Sequence, residues 1–83
     1  MTAWSVYIIQ CGDGSLYTGI AVDVQRRFQQ HLAGKGAKFF RAKSPQALVF
    51  EETGHNRASA SRRELFIKSL TRKQKLALIA AYR

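Results

Sequence analysis

Trp4-Ser5-Val6-Tyr7-Ile8-Ile9-Gln10, then Cys11-Gly12-Asp13-Gly14-Ser15, then Leu16-Tyr17-Thr18-Gly19-Ile20: these three blocks decide the fold. The outer two are rich in β-branched and aromatic side chains, which suit a pleated, packed surface, and the middle one is dense in turn formers. Together they read as a β-hairpin. Its loop length matters for everything that follows. A two-residue Asp13-Gly14 turn would send Tyr7 and Tyr17 to opposite faces. A three-residue loop, Gly12-Asp13-Gly14 with Gly14 in the left-handed region, puts both tyrosines on one face. It also gathers Trp4, Val6, Ile8, Leu16 and Ile20 on the other face as a core surface. The odd-length loop is the better reading.

Beyond the hairpin, Asp23 is a good N-cap for a helix reaching about Ala33, with Gly34 ending it. Val24, Phe28 and Leu32 recur every four residues and are expected to form its buried stripe. Arg27 and His31 lie one turn apart along the border of that stripe, where they can edge a cleft, while Arg26 points to solvent. Lys35 to Ser44 is a basic loop carrying Phe39 and Phe40, which read as core plugs, and Pro45 closes it. Ala47 to Glu52 reads as a third strand and Gly54-His55-Asn56 as a loop. Asn56 or Ser59 caps a helix ending near Leu70, and Thr71-Arg72-Lys73-Gln74 has capping-box spacing for a last helix. The expected fold is a small α+β domain of order ββαβαα, an antiparallel three-stranded sheet with helices packed on it, formed by residues 1–83 as one unit.

Composition narrows the class. The 83 residues are 46% hydrophobic and 11% aromatic, enough for a folded core and not for a second domain. Fourteen Lys and Arg against five acidic residues give a net charge of +9, which points to a polyanionic partner. No apolar run approaches the ~20 residues of a spanning helix. The first residues lack the pattern of a secretory signal. Cys11 is the only cysteine, so neither an internal disulfide nor a cysteine-rich zinc site can form. Membrane surfaces also attract basic proteins, so the charge alone does not choose between them and nucleic acid, and a cytoplasmic protein is the expectation.

Val6-Tyr7-Ile8, followed ten residues after Tyr7 by Tyr17-Thr18-Gly19, resembles the paired-tyrosine signature of the GIY-YIG nuclease superfamily. Arg27, ten residues after Tyr17, matches the arginine on that family's first helix, and Glu64 in Ser61-Arg62-Arg63-Glu64-Leu65 matches its later carboxylate. The resemblance covers nearly the whole chain, including Lys35-Gly36-Ala37-Lys38, and is greatest to the small single-domain bacterial branch. It departs in two places: Val6 stands where the first triplet begins with glycine, and no asparagine follows Asn56.

What the resemblance implies is an endonuclease hydrolysing DNA phosphodiester bonds with Mg²⁺ or Mn²⁺. Glu64 would be the metal ligand, Tyr7 or Tyr17 would position or activate water, and Arg27 would fork onto a phosphate oxygen. His31 would relay a proton or bind phosphate. A tyrosine acting as base needs its pKa depressed, by the metal or by Arg27. Lys35, Lys38, Arg41 and Lys43 are candidate phosphate contacts. DNA ranks ahead of RNA as substrate, and a protein partner supplies specificity unless the preference is broad. The rivals are a non-catalytic nucleic-acid-binding module and a small protein docking on an acidic partner.

Overall fold

Asp13 and Gly14 turn the chain through the loop that the tyrosine spacing calls for. Gly14 has φ +86°, Cys11 N–H donates to the Ser15 carbonyl at 2.9 Å, and Gly14 N–H donates to that of Cys11 at 2.9 Å. Strands β1 (Trp4–Cys11) and β2 (Leu16–Ala21) therefore pair with Tyr7 opposite Gly19 and Ile9 opposite Tyr17. Both tyrosines share a face. The computed structural model describes residues 3–35, 38–41 and 43–82, with Arg41 described by its backbone only. Gly36, Ala37 and the Arg41 side chain, read above as part of the basic loop, lie outside the described residues.

Helix α1 (Val24–Leu32) follows, capped by Asp23, whose carboxylate accepts from Arg26 N–H at 3.0 Å. Such a cap contributes roughly 1 kcal/mol. Ala33 is the C-cap, and Gly34, at φ +78°, turns the chain away. Lys38–Arg41 forms a short 3-10 helix that the aperiodic sequence does not announce. Strand β3 (Pro45–His55) is longer than the expected 47–52 stretch and runs through the segment read as a loop. It pairs antiparallel with β1, giving the order β2-β1-β3. As an edge strand it tolerates Pro45 at its first position. Helix α2 (Arg57–Ser69) opens with a reciprocal Asn56–Ser59 capping box, and α3 (Arg72–Tyr82) with a Thr71–Gln74 one.

The central strand is covered on both faces, which is why Val6-Tyr7-Ile8-Ile9 is apolar without alternation. Val6 and Ile8 pack with Phe50, Ala60, Ile67 and Ile79 under α2 and α3. Tyr7, Ile9 and Cys11 pack with Val24 and Phe40 under α1 and the 3-10 helix. The α1 stripe differs from the expected one. Leu32 is 48% exposed and His31 is 1% exposed, so His31 is a core side chain and not a border one.

Candidate active site

Tyr7 owes its position to Gly19. The two residues face each other across β1 and β2, and a Cβ at Gly19 would stand 2.6 Å from the Tyr7 hydroxyl and 2.7 Å from Cζ. The end of the phenol lies against the bare glycine on the edge strand β2. Both α1 and α2 contact β2, from opposite sides of the sheet. That edge is where side chains from the two helices can meet.

They do meet there. Tyr7, 1% exposed, shares a hydrogen bond of 3.0 Å with His31 Nε2 from α1. Burial pushes the Tyr7 phenol up to about 12; the Tyr17 phenol and the Glu64 carboxylate add to the rise, and the neighbouring Arg27 guanidinium opposes it. Tyr17, Arg27 and Glu64 are thus all near enough for their charges to act on one phenol. The Tyr7 and Tyr17 rings are 6.3 Å apart, and Tyr17 stands edge-on to His31 at 5.5 Å. The two phenols and His31 adjoin on one face, and the Arg27 and Glu64 charges both bear on the Tyr7 phenol. One expectation needs correction: Arg27 does not depress the Tyr7 pKa on balance, because burial outweighs it. At neutral pH Tyr7 is a neutral phenol.

Arg27 is half-buried and also donates to Gln30 Oε1 at 3.1 Å, a contact within its own helix that fixes the fork. His31 is held below its ordinary value, first by burial and then by the Arg27 charge. The imidazole is neutral near pH 7, and its Nδ1 has no hydrogen-bond partner among the described residues. Phe40 covers the ring at 4.4 Å and stacks against Tyr17 at 4.8 Å, confirming the plug reading of that aromatic. Nothing in the sequence pairs Phe40 with His31; only the 3-10 helix brings them together.

Glu64 lies half-buried on α2 and pairs with Lys68 at 3.3 Å. Among the described residues no three His, Cys, Asp or Glu side chains group as a metal cage. A lone carboxylate such as Glu64 can hold a hard cation that keeps most of its waters. Of the basic candidates, Lys35 and Lys38 are exposed. Lys43 is engaged, 3.3 Å from Asp13 and 5.0 Å over the Phe39 ring. It also lines, with His31, Phe40 and Ser44, a depression of ≈ 300 Å³ beside the site. The Arg41 side chain is outside the described residues. Arg63 is engaged elsewhere, forking onto Glu52 at 3.0 and 3.2 Å, with His55 on the same carboxylate at 2.8 Å. A larger groove of ≈ 380 Å³ on the opposite face is lined by Leu16, Val49, Leu76 and Ile79 and carries no titratable group.

Comparison with known proteins gives a consistent picture. Residues 3–77 match the family model of the GIY-YIG catalytic domain. The UPF0213 protein YhbQ of Escherichia coli is 49% identical over 80 residues, 96% of this chain and 80% of that one. A UPF0213 protein of Cronobacter sakazakii is 50% identical over 80 residues, covering 96% and 84%. The solution NMR structure of a UPF0213 protein from Bacillus halodurans superposes with a TM-score of 0.60 at 41% identity, over 94% of this chain and 83% of that one. That of a protein from E. faecalis gives 0.64 at 30% identity, over 99% and 86%. Among the described residues no helix is long and apolar enough to cross a membrane.

Proposed function

Since this chain belongs to the GIY-YIG superfamily, whose members are generally metal-dependent endonucleases, we propose that residues 1–83 form one nuclease domain that hydrolyses phosphodiester bonds in DNA with Mg²⁺ or Mn²⁺. The observation that carries the reading is the pairing of Tyr7 and Tyr17 on one face with His31 of α1 against them, where the charges of Arg27 and Glu64 both bear on the Tyr7 phenol. Neither strand spacing nor helix periodicity alone requires that meeting.

Glu64 holds the cation, which when bound supplies positive charge against the scissile phosphate. Arg27 forks onto a phosphate oxygen, its donors preset by Gln30. Negative charge that builds on the phosphoryl group as water attacks is met by a guanidinium already aligned. Tyr17, half-exposed, orients that water. Tyr7 is too buried and too weak an acid to be the base by itself. Its hydroxyl shares a hydrogen bond with the Nε2 of neutral His31, so the pair joins the phenol to a second group able to hold a proton. Exposed Lys35 and Lys38 bind flanking phosphates.

The test is a cleavage panel of duplex, nicked, branched and single-stranded DNA with Mg²⁺, Mn²⁺ or EDTA, comparing wild type with Glu64→Ala and Arg27→Ala. Nicking that requires metal and is lost in both variants supports the reading. Salt-sensitive DNA binding without cleavage, indifferent to metal and to Glu64→Ala, replaces it with a non-catalytic binding module.

A further inference from the structure

Glu64 already carries a counter-ion. One helical turn along α2, the Lys68 ammonium lies 3.3 Å from its Oε2. The two partners differ in setting, since the Glu64 side chain is 21% exposed and that of Lys68 is 50% exposed. Glu64 borders the buried face of α2, flanked by Ala60 and Ile67, both fully buried. Lys68 reaches it from solvent on a flexible stem that can swing away. Glu64 is also the only acidic residue in α2 and α3, among seven Lys and Arg.

We infer that Lys68 is the resident counter-ion of Glu64, displaced when a divalent cation binds, and that the displaced ammonium then turns to a phosphate of the substrate. This rests on the reading of Glu64 as the cation's ligand. Among the described residues no cluster of three candidate ligands exists, so a cation competes for one carboxylate against a charge already in place. A divalent ion attracts that carboxylate with twice the charge of an ammonium, and the two cations repel each other at close range even in water. Sharing is disfavoured, and Lys68 leaves. It remains tethered one turn from Glu64, the carboxylate whose charge bears on the Tyr7 phenol. There it meets phosphate as a compact point charge. The device keeps the carboxylate neutralised before substrate arrives and adds a cation to the site once the metal is in.

Mn²⁺ titration of the free protein, followed by water-proton relaxation, reads this without any turnover. Lys68→Met keeps the stem, removes the charge, and is expected to bind Mn²⁺ about 3- to 10-fold more tightly than wild type, with Lys68→Arg unchanged. DNA affinity in Ca²⁺, by contrast, should fall several-fold in Lys68→Met, with no such fall in EDTA. Equal Mn²⁺ affinity in wild type and Lys68→Met, while Glu64→Gln abolishes binding, overturns the inference and leaves Glu64 as ligand. Binding untouched by Glu64→Gln overturns the ligand reading itself. Tighter Mn²⁺ binding with unchanged DNA affinity removes the second half of the inference. Lys68→Gln replaces Lys68→Met if thermal melting finds the methionine variant unfolded.

Discussion

Replacing Gly19 by alanine adds one methyl group, and its effect can be worked out atom by atom. The new Cβ would lie 2.6 Å from the Tyr7 hydroxyl, 2.7 Å from Tyr7 Cζ and 3.1 Å from Tyr17 Cε2. Relief is not cheap, because the end of the ring is fully buried and tied to His31 at 3.0 Å. Overpacking of a filled core costs typically about 1–3 kcal/mol. Swinging the ring aside breaks the Tyr7–His31 bond and strands two buried polar groups, roughly 1–3 kcal/mol more. The expected loss is about 2–4 kcal/mol, the two costs partly overlapping. In a domain of this size that lowers Tm by roughly 10–30 °C. Urea denaturation of Gly19→Ala, Tyr7→Phe and the double variant measures it. Removing the hydroxyl deletes the nearest clashing atom, so the double variant should lose less than the sum of the singles. A Gly19→Ala protein within about 0.5 kcal/mol of wild type, with undiminished cleavage, would refute the packing argument.

Three further outcomes are expected. His31 is neutral in the fold and held below its ordinary value of 6.5, so the unfolded chain binds the extra proton first. Its contribution is fully present above that value and is lost as pH falls below it, so Tm scans from neutral to mildly acidic pH should slope downward and flatten in His31→Gln. Arg27→Lys keeps the charge and loses the fork, so single-turnover cleavage should drop by about 10²-fold while DNA affinity changes little; an equal loss in both would move Arg27 from chemistry to binding. Lys35→Ala with Lys38→Ala should lower the salt slope of DNA binding by about 2, evenly across sequences, and an unchanged slope would take both residues off the DNA path.

Much of this molecule is legible locally. The parity of the hairpin loop puts Tyr7 and Tyr17 together, and the side-chain chemistry of Asp23, Asn56 and Thr71 locates three helix starts. What fails to read is whatever depends on distant partners. Apolarity nominated Leu32 for the α1 stripe, yet at about 100° per residue His31 lies within roughly 20° of Val24 and Leu32 some 80° away. A polar side chain on the buried face is invisible to a hydrophobicity count until its partner, here Tyr7, is known. The extension of β3 through His55 is fixed by pairing with Trp4 at the far end of the chain. The diversion of Arg63 onto Glu52 is likewise a contact between β3 and α2. The 3-10 helix has no periodicity to betray it; Phe40 holds it by packing over His31.

Paramagnetic relaxation by Mn²⁺, mapped by NMR across the assigned backbone, locates the cation directly. Substoichiometric Mn²⁺ is expected to broaden Tyr17, Gly19, Arg27 and Glu64 before any other residues. Broadening centred instead on Glu51 and Glu52, or on Asp13, with the Glu64 region still sharp, would contradict the site proposed between β2, α1 and α2.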